Sequence, residues 1–330
     1  MSRLPDSYAQ TISTIVRHAP LNNNTNPTRK KRMTMMNRRI FLQSSVAGAT
    51  IALGSTNRLL AALEAENAYR KNIGIQLYTL RNELAKDTVA TIKQVASDGY
   101  KQVELFGFPD ADAIIESAKN AGLAINSSHF EWTTVVSPKD DAMSDFAKVL
   151  EKAEKVGLGH LVIPYLHDHE RATPDAYKKV AANANKAAEM AKNAGIKLAY
   201  HNHNFEFEPK AGGKCGYDIL VDEFSPLMKF EVDVFWVKAA GIDPVSMLGK
   251  LKGRVTQLHL KDLKAGQDLP SYKTGLPKDA FQELGNGIIS MEPIIVAAKT
   301  AGVEHCHVEQ DQSPNPLASI RQSINYLKTL

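Results

Sequence analysis

From Ile73 onward, short runs of β-branched and aromatic residues alternate with longer amphipathic stretches. The short runs are 73–78, 101–106, 124–129, 160–165, 196–203, 229–235, 255–260 and 304–309, each flanked by turn residues as strands are. Between them, 87–98, 110–121, 139–156, 174–194, 243–252 and 289–301 carry apolar residues at helical spacing. Several of these stretches run into glycine, at Asp98-Gly99, Ala121-Gly122, Val156-Gly157, Ala194-Gly195 and Ala301-Gly302. Helix C-termini favour glycine because a positive φ is needed there.

Strands that alternate with helices predict parallel pairing, and eight of them predict a closed (β/α)8 TIM barrel. Its active site would lie at the carboxyl ends of the strands. An open doubly wound sheet would show a glycine-rich phosphate loop after its first strand, and 73–80 has none.

Barrel strands point alternate side chains to the axis. That parity sends Leu198, Tyr200, Phe230, Val232, Leu258, Leu260, Cys306 and Val308 outward. It sends Glu104, His201, His203, Glu231, Asp233, Gln257, His259, Lys261, His305, His307 and Glu309 inward, where they are expected near the carboxyl ends. Isolated charges buried in a barrel cost several kcal/mol each unless paired or bound to a cation. Imidazole and carboxylate together suit a divalent ion. Ion pairs alone would explain any one of these residues. His, Asp, His and Glu on four successive strand ends point instead to a metal.

At these residues the chain resembles the sugar isomerase/epimerase superfamily with the xylose isomerase-like barrel. The resemblance spans about residues 73 to 327. It rests on Lys197-Leu198-Ala199-Tyr200-His201-Asn202-His203, Phe230-Glu231-Val232-Asp233, Leu258-His259-Leu260-Lys261-Asp262, Gly285-Asn286-Gly287 and Val308-Glu309-Gln310. It implies one divalent ion (Mn, Zn, Co or Mg) held by Glu, Asp, His and Glu on strands five to eight. Asp233, His259 and Glu309 match the last three, while His201 stands where the family has its first glutamate. Either His201 is the fourth ligand or three protein ligands leave more room for water or substrate. The resemblance also implies proton abstraction beside a sugar carbonyl by a pair of glutamates, of which Glu309 alone is retained. A second acid or base would come from His203, His129, Glu104 or Lys261; a histidine titrating near neutrality suits such work. Isomerisation or epimerisation of a sugar or keto-sugar is the leading expectation. Elimination on a 3-keto-glycoside, by a lyase or hydrolase, is the alternative, and a sugar-binding barrel without turnover is a third reading.

Another enzyme class on this barrel cleaves abasic DNA with several zinc ions. It would need a ligand three residues after Asp233, where Trp236 stands. The formal net charge of +4 does not argue for nucleic acid either, because much of the excess lies in Arg29, Lys30, Lys31, Arg32, Arg38 and Arg39. The expected partner is a small sugar or glycoside, and the pairing of two copies into a homodimer is left open.

Residues 1–68 read as an extension and an address, and 69–330 as a single catalytic domain. Asn37-Arg38-Arg39-Ile40-Phe41-Leu42 followed by the mild apolar stretch 44–53 has the pattern of a twin-arginine export signal. It is too short and too weakly apolar to span a membrane. Met33, Met35 and Met36 just upstream are alternative starts, and no small-x-small cleavage site stands out between Ala61 and Ala68. Export to the periplasm or beyond would favour a free sugar over a phosphorylated one. The two cysteines, Cys215 and Cys306, cannot build a disulfide framework.

Of the remaining residues, Trp132, Tyr165 and Trp236 sit beyond strand ends, where aromatic faces stack on sugars. Glu206 and Glu208 would either support the histidines or lie exposed at the surface. His167, Asp168 and His169 read as a solvated loop, with a second metal cluster as the alternative. The segments 210–216 and 264–278 are expected as loops over the mouth, and the long break between strand seven and Gly285 as a substrate lid.

Overall fold

The computed structural model describes residues 72–210 and 212–330; the expected twin-arginine segment lies outside them. The barrel strands are β1 (Gly74–Gln76), β2 (Gln102–Phe108), β3 (Ala124–Phe130), β4 (His160–Ile163), β5 (Lys197–His201), β6 (Lys229–Asp233), β7 (Val255–Leu260) and β10 (His305–Val308). They close in the order β1-β10-β7-β6-β5-β4-β3-β2, and every pair round the ring is parallel. The predicted barrel is the observed one.

Parity along the strands works as expected. Leu161, Ile163, Leu198, Tyr200, Phe230, Val232, Leu258, Leu260, Cys306 and Val308 are buried in the apolar layer between strands and helices. The glycines after the helices, Gly99, Gly122, Gly157, Gly195 and Gly302, all take positive φ. Among the described residues no helix is long and apolar enough to cross a membrane.

The expected strands 73–78, 160–165, 196–203 and 229–235 each end two residues early, at Gln76, Ile163, His201 and Asp233, and two of these stops have a clear cause. The expected strand 229–235 stops at Asp233, because its Oδ1 accepts the N–H groups of Phe235 (2.9 Å) and Trp236 (3.0 Å) and so caps the helix Val234–Ala239. The strand 73–78 stops at Gln76, whose side chain accepts the Tyr78 N–H and opens a 3-10 turn at Leu77–Leu80. The helix Gly216–Glu223, which no clear periodicity announced, is capped by Cys215.

After β7 the chain makes a two-residue strand β8 (Asp262–Leu263), antiparallel to β9 (Phe281–Gln282). The Asp262 carboxylate accepts N–H groups from Leu263 and Ile289 on one oxygen and from Gly285 and Gly287 on the other. A Cβ on Gly287 would sit 2.2 Å from Asp262 Oδ1, so only glycine allows this approach. The base of the loop 264–278 is thereby fixed beside the mouth.

Candidate active site and metal centre

Strand register brings the matched residues together. Asp233 on β6 pairs with His259 on β7, and His259 pairs with His307 on β10. The Glu309 N–H then donates to the Leu260 carbonyl at 3.1 Å, which carries Glu309 to the same level. One ligand atom each from Asp233, His259 and Glu309 lies within 4.8 Å of the others, and all three residues are buried.

Lys261 enters the same space. Its Nζ lies 2.7 Å from Glu309 Oε2, 2.9 Å from Asp233 Oδ2 and 2.9 Å from Asp311 Oδ1. With Oδ1 occupied by the helix cap, Asp233 turns Oδ2 to the site, where it receives the ammonium charge without an aligned hydrogen bond. Burial lifts the Asp233 carboxyl to about 6 against the pull of Lys261. Burial would raise Glu309 too, yet Lys261 and then His259 hold it well below the ordinary carboxylate range.

His259 is gripped on both sides. Nδ1 donates to Glu309 Oε2 at 2.7 Å and Nε2 donates to Glu104 Oε1 at 2.6 Å, with Glu231 Oε1 at 3.0 Å. Ionised carboxylates only accept, so in this arrangement both nitrogens carry protons. In keeping with that, Glu231 and Glu309 outweigh burial and hold the ring well above its ordinary pKa.

His201 differs. Its Nδ1 donates to Glu231 Oε1 at 3.1 Å, and its Nε2 faces Asp233 Oδ2 at 3.9 Å. Burial, then the neighbouring His259 and His129, push it well below the ordinary value, which leaves Nε2 with a free lone pair. It borders the Asp233, His259 and Glu309 group without belonging to the closest set.

Glu104 lies deeper than expected. The inward charges do not all gather at the carboxyl ends, because Glu104 falls early in β2 and is wholly buried below His259. It accepts from Gln76 (2.8 Å), Ser127 (2.5 Å), Gln257 (2.8 Å) and His259. A carboxylate so fully engaged steadies His259 and is not a lining residue of the cavity. His305 likewise lies low in the barrel, as the first residue of β10, and His307 is buried with its Nδ1 3.8 Å from Glu104 Oε1.

Above this layer is a cavity of about 740 Å³, within the range of about 300–1,000 Å³ for small-molecule sites. His129, His201, His203, Lys261, Glu309 and Asp311 form its polar floor. Tyr78, Phe106, Phe108, Trp132, Tyr165, Trp236 and Phe281 form its walls. Thr274, Gly275, Leu276 and Lys278 bring the loop 264–278 to its rim, as expected of a loop over the mouth.

The His203 ring is fixed between those of Phe205 (5.3 Å) and Trp236 (5.2 Å), and its backbone N–H donates to Glu206 at 2.9 Å. Glu206 also accepts from the Tyr200 hydroxyl at 2.7 Å, whereas Glu208 pairs with Lys210 outside. His129 donates to Glu231 Oε1 at 2.8 Å. The loop residues His167, Asp168 and His169 do not converge: Asp168 pairs with Arg171 and the two rings stack on each other.

Glu231 was legible as an inward residue, but its part in the site was not. It accepts from His129, His201 and Gln257 and lies 3.0 Å from His259, contacts that span four strands.

Residues 92–330 match the model of the xylose isomerase-like TIM barrel family. The chain belongs to this family. It is 26% identical over 262 residues to an inosose dehydratase of Clostridium perfringens, covering 72% of this chain and 88% of that protein. The crystal structure of a sugar phosphate isomerase/epimerase from Parabacteroides distasonis superposes with a TM-score of 0.64 at 26% identity, over 78% of this chain and 93% of that one. The IOLI protein, crystallised with a zinc atom, shares the fold at a TM-score of 0.58 and 14% identity, over 78% and 98%. This member of the xylose isomerase-like family is accordingly a carbohydrate-acting enzyme.

Proposed function

We infer that the enzyme removes a proton from the carbon beside a carbonyl of a sugar or keto-sugar, with one divalent ion at the mouth. The observation that carries the reading is the convergence of Asp233, His259 and Glu309 on one buried point, which Glu309 connects to the cavity. An Asp233 oxygen without an aligned hydrogen bond, a second carboxylate, and the His259 imidazole once a cation displaces its Nδ1 proton are a donor set that fits a divalent ion. His201 Nε2 would be the fourth ligand, in place of the family's glutamate. When bound, the ion supplies Lewis-acid polarisation of the substrate carbonyl.

The chain's own residues do the rest. Glu309 lines the cavity as an ionised carboxylate and takes the proton from the α-carbon, whose electron pair moves onto the carbonyl oxygen. Lys261, 2.7 Å from Glu309, offsets the negative charge that develops. Return of a proton to the opposite face gives the epimer, and return at the neighbouring carbon gives the isomer. If the pair instead expels a group from the β-carbon, with Lys261 protonating it, the reaction is an elimination. Burial and then Lys261 hold His203 well below its ordinary pKa, so it serves as a neutral hydrogen-bonding group.

Two observations favour elimination as the second reading. Only one of the family's two glutamate bases is retained, and the chain's relatives include inosose dehydratases, whose name describes loss of water from a cyclic ketone. The aromatic walls and the cavity volume suit a glycoside as well as a free sugar. Export through the twin-arginine segment 37–53 belongs to the same proposal and favours an unphosphorylated substrate.

Incubation of the metal-replete enzyme with ketoses and 3-keto-glycosides in deuterated water tests it. Deuterium in a recovered epimer or isomer supports the first outcome, and a released aglycone or lost water supports elimination. Absence of exchange at the α-carbon of every carbonyl sugar offered would overturn the proposal.

A further inference from the structure

A second group of ligand-type side chains sits at the opposite, amino-terminal end of the barrel. His160 is the first residue of β4, His305 the first of β10, and Glu304 precedes it. In the ring of strands β4 and β10 face each other, so these side chains meet across the axis. His160 is 3% exposed, yet neither of its ring nitrogens has a hydrogen-bond partner. Its Nε2 lies 3.5 Å from Glu304 Oε2, and its ring centroid is 5.3 Å from that of His305. One ligand atom from each of the three lies within 4.8 Å of the others.

Buried polar atoms are almost always partnered, and an imidazole with two unmet nitrogens inside a barrel needs a reason. We propose that His160, Glu304 and His305 form a second divalent-metal site, for zinc or an ion of similar preference, that ties β4 to β10 across the amino end of the barrel. Two imidazoles and a carboxylate are a common zinc set, with water completing the tetrahedron. The surface partner of Glu304 is Lys197, at 2.5 and 2.6 Å. Both of those side chains are more than a third exposed, so their pairing holds Glu304 weakly, and a bound ion would share the carboxylate with it. None of the three residues lines the cavity, so the site acts on barrel stability and not on the reaction.

The test uses the full chain, stripped with chelator and titrated with Zn²⁺ alone. The double variant Asp233→Asn, Glu309→Gln disables the mouth and is expected to retain one equivalent, with a raised Tm on zinc addition. Adding Glu304→Gln, a surface change that leaves the core untouched, is expected to weaken that binding at least tenfold and to abolish the Tm rise. His305→Gln in the same background should do likewise. If the double variant binds no zinc, or binds it equally with Glu304 and His305 replaced, the proposal is overturned. A mouth without metal reads differently: the wild type would then bind one equivalent, lost on Glu304→Gln and indifferent to Asp233→Asn.

Discussion

His259 Nε2 lies 3.0 Å from Oε1 of Glu231, and that same oxygen accepts hydrogen bonds from His129 and His201. One buried carboxylate therefore orients three imidazoles. It leaves His259 Nδ1 and His201 Nε2 turned toward Asp233 and Glu309. Glu231, paired with His201 across β5 and β6, thus places one negative charge beside all three rings. Carboxylates behind histidine ligands set the tautomer and raise ligand basicity.

Glu231→Gln keeps the side-chain shape and removes this charge. Activity and metal retention are both expected to fall by about 10–100-fold, read from kcat/KM and from metal content after dialysis. Unchanged values for both would show that Glu231 is only a packing residue.

Lys261→Met leaves Asp233, Glu309 and Asp311 without their shared ammonium. Removing one member of a buried charge cluster costs about 3–5 kcal/mol. Urea denaturation in chelator should show a loss of that size, and adding a divalent ion should recover part of it. A chelated variant as stable as the wild type would contradict the pairing.

His201→Glu would add a carboxylate donor at the mouth but place it against Glu231, now 3.1 Å from the ring it holds. The metal-free variant is expected to be destabilised by about 3 kcal/mol, as an unpaired buried charge is. Mn²⁺ or Zn²⁺ should reverse this, giving a larger Tm rise than in the wild type. Equal rises in the two proteins would place His201 outside the metal's reach.

Glu206 sets a pH dependence of stability. Burial raises its carboxyl from the ordinary 4.5 to about 7, despite hydrogen bonds from Tyr200 and His203. Between those values the folded protein keeps a proton that the unfolded chain has released, so stability falls as pH rises from about 4.5 to 7 and is level above. At about 1.4 kcal/mol for each tenfold change in proton affinity, the decline is about 3 kcal/mol. Denaturation midpoints across this range should show it, and Glu206→Gln should flatten the slope. An identical slope in the variant would assign it to another group.

Much of the fold was legible because a barrel repeats one physical pattern. Strand parity alone put Glu104, His201, Glu231, Asp233, His259 and Glu309 on the axis side, and glycines marked where helices end. Parity is local and says nothing about depth. It did not separate Glu104, which lies under His259, from Glu309, which lines the cavity. Nor did it stop β6 at Asp233, since Val234 and Phe235 continue the strand pattern and only the cap hydrogen bonds turn the chain.

The sequence by itself determined the period, the inward set and the kind of atoms available to a cation, since these depend on residue type and spacing along one strand. Closure of the sheet decided which of those atoms meet. Glu231 gathers histidines from β3, β5 and β7, Lys261 settles among three carboxylates, and His160 finds Glu304 and His305 across the axis. Those contacts depend on stagger between strands far apart in the chain, a quantity that no local spacing encodes.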